Sequence, residues 1–397
     1  MKYVALADVA NIQLGKMLSP KAKTGAEAFP YLRNQNVQWR RFELSDMATM
    51  DFSARERSKF RLLPGDLLVC EGGEPGRCAV WDGRIDDCFY QKALHRLRPK
   101  SGVADPEFLA LWIQFQALRG AFDDQNAKTT IAHLPLVRLE QLIVPDVPIE
   151  EQTRTAKALR VLLAEADKAR QAAESQLRDA ALLPSRIINE VFDGISGHPA
   201  TLDDLLVEIQ AGKSFQTAET LAGPDELGVL KVSAVTWTDF RPNEAKALSE
   251  AYEPAESHKV KSGDFIISRA NTKEFVGAVV LVDKDFPNRL LSDKTLRLVV
   301  DESRVCKEYL IFALRTNMAR RHIEHYATGT SDSMRNISQG TITSIPLCLP
   351  ELNEQRIVAT QLKAKLKEVA EIRSAIERQL QETKTLPNRI LAQAFES

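Results

Sequence analysis

Two carboxylates and a lysine in the second half of the chain are the groups that a metal-dependent nuclease uses. Asp225 follows a proline, and Glu244 and Lys246 stand close together further along. Such a set can hold Mg²⁺ and polarise a water molecule. Both strings are common in a charged chain, however, and the first half of the sequence has no equivalent. The sequence therefore does not favour a nuclease.

His322 and His325 form a weaker candidate, because they share a predicted helix and have Cys306 upstream. Solvated histidines on a helix surface are favoured over a metal site. The sequence contains no Gly-x-x-x-x-Gly-Lys-Ser/Thr loop for a nucleotide phosphate, and no Ser-His-Asp set to which catalytic roles can be given. We therefore predict no catalytic residue, no metal and no cofactor in this chain.

The composition is that of an ordinary soluble protein. The chain has 397 residues, 44% hydrophobic and 27% charged, and 53 basic against 54 acidic side chains give a formal net charge of −1. This length suits about two to four domains of ~100–200 residues. No apolar run approaches the ~18–20 residues of a membrane helix, and the scattered cysteines form no Cys-x-x-Cys pair. We expect a cytoplasmic protein with reduced thiols.

An internal repeat determines the expected architecture. Residues 151–192 align with residues 354–395 at a constant offset of 203, and 16 of the 42 positions are identical. The halves also begin alike, with Ile-Gln-Leu-Gly-Lys at 12–16 and Ile-Gln-Ala-Gly-Lys at 209–213. Most positions between these anchors differ. We interpret the chain as a tandem duplication with divergent interiors.

Each half has the same order of elements. Short apolar runs between turn residues predict strands, for example Leu67–Cys70, Cys78–Trp81, Phe265–Ser268, Gly277–Val282 and Leu296–Val300. Helical patterns follow at Pro106–Arg119 and Lys307–Ile323. We predict an α+β chain with a mixed α/β domain over 1–149, a helix and linker over 150–197, a second mixed domain over 198–350 and a second helix over 351–397.

Two long helices carry a coiled-coil spacing. Apolar residues recur at intervals of four and three over about four heptads, from about Ile149 to Leu183 and from about Leu352 to Leu386. Each helix should stop at the following proline, Pro184 or Pro387. Antiparallel pairing of the helices would give the repeat a pseudo-two-fold axis. The predicted seam residues are Leu159, Leu163, Arg170, Leu177, Leu362, Leu366, Arg373 and Leu380.

Arg170 and Arg373 are the unusual members of this seam. Glutamates recur beside both arginines, at 165, 174, 368 and 377. One interpretation is Arg–Glu pairing across the helices, which would fix their register. The alternative is a solvated arginine that reaches out of a wide seam.

Three short motifs recur in the order of the repeat. Pro-x-x-Glu-Gln opens the first long helix at 148–152, with a displaced version at 350–355. Leu-Pro-Gly-Asp-Leu-Leu-Val at 63–69 precedes Gly-Arg-Cys-Ala-Val-Trp at 76–81, and Leu-Pro-x-Arg-Ile closes each helix. In this order, with a helical spacer after each domain, the chain resembles over essentially its whole length the specificity subunits of Type I restriction–modification enzymes.

The resemblance implies a role in DNA recognition. Each mixed domain would be a target-recognition domain that reads one half of a split site in double-stranded DNA. The paired helices would separate the half-sites and dock two adenine methyltransferase subunits, and two restriction subunits would complete an ATP-dependent nuclease. S-adenosylmethionine, ATP and Mg²⁺ would belong to these partners, because this chain lacks a glycine-rich cofactor loop and an Asn-Pro-Pro-aromatic tetrapeptide.

The alternative is a protein scaffold with the same duplicated frame that does not bind DNA. Acidic or apolar loop tips would indicate such a scaffold, whereas the predicted tips are basic and polar. Arg, Lys, Asn and Gln can reach phosphates and base edges. The candidate contacts of the first half are Lys16, Arg33, Gln35, Asn36, Arg77, Lys128, Thr129 and Thr130. Those of the second half are Lys213, Lys231, Ser233, Arg269, Asn271, Lys273, Arg335 and Asn336.

Two further pairs of residues recur in the repeat. Lys16 and Lys213 each follow a glycine, which suits either phosphate anchoring or a turn after the first strand. Trp39 and Trp237 lie near the same place in each half and are interpreted as packing residues.

Overall fold

The computed structural model describes residues 2–19, 24–25, 27–123, 133–249, 252–331 and 334–396. The chain divides into two compact units, one of residues 1–174 with 378–397 and the other of residues 175–377. Each unit therefore contains one mixed domain and a part of both long helices. Within the described ranges, no helix is both long and apolar enough to cross a membrane.

The first unit contains eleven strands and four short helices, followed by the start of a long helix. Its strands are β1 (Tyr3–Ala5), β2 (Ala10–Leu14), β3 (Ala28–Leu32), β4 (Val37–Gln38), β5 (Arg41–Phe42), β6 (Ala48–Asp51), β7 (Leu67–Cys70), β8 (Cys78–Val80), β9 (Phe89–Tyr90), β10 (Leu94–Pro99) and β11 (Ile143–Pro145). Its helices are α1 (Leu6–Val9), α2 (Ala54–Phe60), α3 (Pro106–Leu118), α4 (Leu136–Glu140) and the first part of α5 (Ile149–Asp193). These counts refer to the described residues.

The second unit repeats this plan with additions. Its strands are β12 (His198–Thr201), β13 (Leu206–Ala211), β14 (Thr217–Leu221), β15 (Gly228–Leu230), β16 (Ala245–Leu248), β17 (Lys259–Val260), β18 (Phe265–Ser268), β19 (Ala270–Asn271), β20 (Val279–Leu281), β21 (Phe286–Leu290), β22 (Thr295–Val300), β23 (Thr328–Ser331), β24 (Met334–Asn336) and β25 (Pro346–Leu349). Its helices are α6 (Lys307–Ala313), α7 (Asn317–Tyr326), α8 (Gln339–Thr343) and most of α9 (Leu352–Phe395).

A four-stranded antiparallel sheet lies at the centre of each unit, in the order β2–β10–β7–β8 and β13–β22–β18–β20. The inner strands β7 and β18 read as continuous apolar runs because both of their faces are buried. Leu67 and Val69 pack in one core while Leu68 and Cys70 pack in another. In β18, Phe265 and Ile267 likewise face a different core from Ile266. The strands predicted from these runs are confirmed.

The opposite ends of α5 and α9 meet in each unit. Leu159 and Leu163 share a core with Leu391 and Phe395 in the first unit. In the second unit, Ile188 shares a core with Val358, Ala359 and Leu362. The beginning of one helix therefore packs beside the end of the other, which is the predicted antiparallel pairing. Leu366 packs at the edge of the second core, and Leu177 and Leu380 are half-buried.

The predicted ends of the long helices are wrong. Both helices continue past their proline, Pro184 in α5 and Pro387 in α9. A proline inside a helix costs about 3 kcal/mol, but Ile188 and Leu391 lie beyond the prolines and are fully buried. Burial of a large apolar side chain contributes about 1.5–3 kcal/mol, so packing on the far side offsets the lost hydrogen bond.

The seam arginines do not form the cross-helix pairs that one interpretation predicted. Arg170 Nη1 lies 2.7 Å from Glu174 Oε1, and Arg373 Nε lies 3.0 Å from Glu377 Oε1. Each pair lies within one helix, four residues apart, where neighbouring side chains meet without crossing to another helix. Both arginine side chains are partly solvated, as the alternative interpretation expected.

The predicted helix over Lys307–Ile323 is broken in two. Its first part, α6, ends at Ala313, and α7 begins at Asn317. Thr316 caps the second helix, since its side chain accepts a hydrogen bond from the Ala319 amide. A threonine at this position satisfies an amide that the helix leaves unpaired, so the chain can restart a helix in a new direction.

Candidate nucleic-acid interface

The glycine of the repeated Ile-Gln-x-Gly-Lys motif allows close backbone approach in both units. A Cβ atom on Gly15 would lie 2.3 Å from the Gln91 carbonyl oxygen, and one on Gly212 would lie 2.1 Å from the Leu291 carbonyl oxygen. No side chain fits at either position. The motif is thus explained by strand packing, independently of any ligand.

The two lysines that follow these glycines have different surroundings. Lys16 Nζ donates to the Asp51 carbonyl at 2.6 Å and to Glu56 Oε2 at 2.8 Å, and its side chain is only 12% exposed. This favours the turn interpretation of Lys16 over phosphate anchoring. Lys213 is exposed, and its ammonium lies 5.6 Å from the centre of the Tyr252 ring.

A bidentate ion pair holds the central sheet in each unit. Arg98 donates through Nε and Nη2 to the Asp66 carboxylate, both at 2.7 Å. Arg297 donates in the same way to Asp264, at 2.8 and 2.6 Å. Bidentate geometry of this kind is strong and directional. The Gly-Asp of the repeated motif therefore has a structural role that its spacing alone did not reveal.

The glutamine of the Glu-Gln element makes the same three hydrogen bonds in both units. Gln152 accepts from the Asp105 amide at 3.0 Å and donates to the Val103 and Val147 carbonyls at 3.0 and 2.9 Å. Gln355 accepts from the Cys306 amide at 2.8 Å and donates to the Arg304 and Pro350 carbonyls at 3.0 and 2.9 Å. Each long helix is thereby joined to the segment before α3 or α6.

Three predicted contacts of the first unit surround Asp46. Arg33 forms an ion pair with its carboxylate at 2.9 Å, and Gln35 Nε2 donates to it at 2.7 Å. Asn36 is 1% exposed and donates to the Glu43 and Asp46 carbonyls. The Asn36 amide therefore holds the loop that presents Arg33 and Gln35.

Arg77 connects two loops of the same surface. Its Nη1 lies 3.0 Å from Glu74 Oε2, and its Nη2 donates to the Asn34 carbonyl at 3.0 Å. Trp39 Nε1 donates to Glu74 Oε1 at 2.7 Å, so this tryptophan is a packing residue with one polar contact. The predicted contacts Lys128, Thr129 and Thr130 lie outside the described residues.

The second unit has a groove rich in lysine. Lys231 Nζ and Ser233 Oγ both donate to Glu244 Oε2 at 2.6 Å, and these hydrogen bonds lower the pKa of the Glu244 carboxyl. Lys246 and Lys294 line the groove with Lys231 but were not predicted as DNA contacts. The other polar lining residues are Ser214, Thr217, Ser292 and Asp293. Their signal in the sequence is weak, because exposed lysines occur throughout the chain.

Arg269 occupies the place in the second unit that Glu71 occupies in the first. The Arg269 amide donates to the Lys294 carbonyl at 2.9 Å and its carbonyl accepts from Ile337 at 2.9 Å. The Glu71 amide donates to Ala93 at 3.0 Å and its carbonyl accepts from Leu134 at 2.6 Å. Equivalent backbone positions therefore carry opposite charges. Glu71 also lies 3.4 Å from His133 Nε2.

The remaining candidates lie around a small sheet, β19–β24–β23. Asn271 Nδ2 donates to the Val232 carbonyl at 3.1 Å, so its amide helps to position the sheet. The backbone of Asn336 pairs with that of Ala270. Arg335 Nη1 donates to the Gly329 carbonyl at 3.2 Å. Lys273 lies on the loop after β19, with its ammonium 3.9 Å from Glu324.

Two of the candidate chemical groups, Glu244 and His322, are engaged in other contacts. Glu244 binds Lys231 and Ser233 as described, and His322 Nε2 lies 3.2 Å from both the Thr341 carbonyl and Ser344 Oγ. In the described part of the chain, no group of three or more His, Cys, Asp or Glu residues is placed to hold a metal ion. Burial raises the pKa of the Cys70 thiol to about 11, so this cysteine is a poor nucleophile at neutral pH.

Comparisons with known proteins find similarity to Type I restriction–modification specificity proteins. Residues 1–174 match the family described as Type I restriction modification DNA specificity domain. The chain is 27% identical to the Type I restriction enzyme EcoEI specificity subunit of Escherichia coli over 177 residues, 44% of this chain and 30% of that one. It is 22% identical to the EcoKI specificity subunit of Escherichia coli strain K12 over 92% of this chain and 81% of the relative.

Solved structures agree in fold. A chain from a type I R-M system, described for its complex assembly and conformational transition, superposes with a TM-score of 0.75 at 17% identity, covering 99% of this chain and 97% of that one. The HsdS subunit from Thermoanaerobacter tengcongensis gives a TM-score of 0.62 at 18% identity, covering 100% and 96%. The resemblance predicted from the sequence is confirmed: residues 1–174 match the specificity-domain family, and the chain is similar over 92% of its length to a Type I specificity subunit.

Proposed function

We propose that this chain reads a bipartite target in double-stranded DNA, with one half-site for each mixed domain. The observation that carries the proposal is a repeated frame with unequal loops. The Asp–Arg pair and the buried glutamine recur in both units, whereas Glu71 and Arg269 oppose each other in charge at equivalent positions. A repeated frame suits two readers of one duplex, and unequal side chains suit two different half-sites.

The opposite charges of Glu71 and Arg269 suit different bases. An arginine donates to the O6 and N7 atoms of guanine, whereas a carboxylate accepts from the amino group of cytosine. The Arg269 side chain makes no hydrogen bond or ion pair with the described residues, so its guanidinium is available to a ligand. We expect Arg269→Gln to relax selection at one base pair of one half-site while leaving the other half-site unchanged. Sequencing of the modified positions measures this directly.

The proposed partners are two adenine methyltransferase subunits and two restriction subunits, which carry S-adenosylmethionine, ATP and Mg²⁺. Exposed apolar side chains on the long helices support docking there, because such residues commonly mark protein contacts; they are Val161, Leu162, Leu182, Ile357 and Ile372. This chain contributes recognition and no catalytic step.

With a net charge of −1, it is expected to bind DNA weakly without partners, since phosphate neutralisation provides most non-specific affinity.

The alternative is a scaffold with the same frame that does not bind DNA. The lysine groove of Lys231, Lys246 and Lys294 opposes this alternative, because a basic polar groove suits an acidic ligand. The test is long-read detection of modified bases in a host that expresses this chain with the methyltransferase encoded beside it. A methylated adenine motif with two parts and a fixed gap supports the proposal. No modification, with both proteins soluble and associated, supports the scaffold.

A further inference from the structure

A cleft of about 330 Å³ in the second unit collects basic side chains from three elements. Lys273 lies on the loop after β19, Arg321 and His325 lie one turn apart on α7, and Arg335 lies on β24. Glu324 is the one carboxylate among the described lining residues. The lining thus carries three permanent positive charges against one negative charge.

The loop that carries Lys273 is fixed to α7 by neighbouring side chains. Arg320 donates to the Val276 carbonyl at 2.6 Å and to the Lys273 carbonyl at 3.0 Å. Its guanidinium lies 4.9 Å from the centre of the Trp237 ring, and Trp237 Nε1 donates to the Glu274 carbonyl at 2.8 Å. These contacts hold the cleft in shape before a ligand arrives, which lowers the entropy lost on binding.

Arg321 is the arginine of this cleft whose guanidinium is accessible to a ligand. Its side chain is exposed, and it makes no hydrogen bond or ion pair with the described residues. Its neighbour Arg320, by contrast, is engaged with the loop. Glu324 lies 3.7 Å from Arg320 and 3.9 Å from Lys273. Its carboxylate therefore reduces the net positive charge of the cleft but does not pair with Arg321.

Among the described residues of the first unit, the position equivalent to Arg321 holds a glycine, Gly120. A Cβ atom on Gly277 would lie 2.8 Å from Ile323 of α7, and one on Gly76 would lie 2.4 Å from Phe122. Ile323 and Phe122 therefore pack against equivalent glycines. Arg321 stands two residues before Ile323, and Gly120 stands two residues before Phe122, so the two units differ in charge at this position.

We propose that this cleft binds one phosphodiester of the DNA backbone beside the half-site that the second mixed domain reads. Arg321 and Lys273 are its donors, with Arg335 and His325 beside them. A planar guanidinium matches two phosphate oxygens, and an ammonium adds a point charge. Such a contact sets the position of the domain on the duplex and carries no sequence information. The inference rests on the proposed function.

The test measures binding of the methyltransferase complex to duplex DNA as a function of salt. Arg321→Gln should weaken binding about tenfold to every sequence and reduce the slope of log K against log salt by about 0.9, the value for one phosphate. Glu324→Gln should strengthen binding, which a merely misfolded variant would not do. Lys284→Gln, which lines a different cleft, is the matched control and should change little.

A duplex with single neutral methylphosphonates locates the contact. At one position, the neutral linkage should weaken binding by the wild-type complex but not weaken binding by Arg321→Gln any further. An unchanged salt slope, additive effects at every position, or a changed methylation motif would overturn the cleft proposal. Binding of free inorganic phosphate that is lost in Arg321→Gln, without any effect on duplex binding, would also overturn it.

The wild-type complex separates this proposal from the broader one. If that complex binds duplex DNA with strong salt dependence and Arg321→Gln behaves like Lys284→Gln, only the cleft proposal fails. If the wild-type complex binds no duplex at all, the proposed function fails with it.

Discussion

Arg297 shows how one side chain joins several elements. It binds Asp264, the Gln210 side chain and the Ser257 and Lys259 carbonyls, and its side chain is 10% exposed. Loss of one partner from a buried pair destabilises by about 3–5 kcal/mol. We expect Asp264→Asn to lower the free energy of unfolding of the second unit by that amount, measured by urea denaturation.

The control for this prediction is Asp82→Asn. Asp82 also pairs with an arginine, Arg84, but both side chains are about half exposed. Exposed pairs contribute about 0–1 kcal/mol. Equal losses for the two variants would contradict a special role for the buried pair.

His95 makes the first unit sensitive to acid. Its ring is fully buried, Nε2 donates to the Leu134 carbonyl at 2.9 Å, and Nδ1 has no partner among the described residues. Burial lowers the pKa of His95 below its ordinary value of 6.5. The folded protein therefore holds the neutral ring. The stability that this ring contributes is fully present above pH 6.5, and it falls as the pH drops from 6.5 towards the lower pKa of His95 in the folded state.

The second unit has Leu296 in the corresponding strand. Below pH 6.5, protonation linked to His95 should lower the free energy of unfolding by up to about 1.4 kcal/mol per pH unit. His95→Leu should abolish this decrease. Hydrogen exchange of β10 between pH 7 and pH 5 measures this effect. The exposed His198→Leu is the control. An unchanged pH dependence in His95→Leu would show that other groups cause the acid sensitivity.

At the scale of elements, the two buried glutamines join the long helices to the mixed domains. Replacement by alanine leaves one amide and two carbonyls without partners, which should cost about 2–4 kcal/mol. Gln152→Ala should speed hydrogen exchange at the Asp105 amide, and Gln355→Ala should do so at the Cys306 amide. The exposed Gln361→Ala should affect neither. If both amides stay protected from hydrogen exchange in these variants, the hydrogen bonds of Gln152 and Gln355 are not needed to hold these segments.

Elements with a strong periodic signal were predictable, and those set by packing were not. The runs of β7 and β18, the spacing of α5 and α9 and the exact repeat at their ends indicated strands and paired helices. The sequence did not reveal that the helices pass through Pro184 and Pro387, because the buried residues beyond them decide this. The gap between α6 and α7 likewise depends on a cap at Thr316.

The candidate site was predictable in its residue types but not in its contacts. Loops rich in Arg, Lys and Asn were identified, yet Asn36 is buried and Lys16 is paired with Glu56. Lys294 and Arg321 were missed, because a single exposed cation has no distinctive signal until the fold brings others beside it.

In the whole molecule, the proposed function requires that the two mixed domains read DNA independently of each other. The most direct test exchanges residues 1–149 for the corresponding domain of a relative with a known target and then maps methylated adenines across the genome. We predict that one half of the motif changes while the other half and the gap remain the same. A change in both halves, or a continuous motif without a gap, would contradict the account.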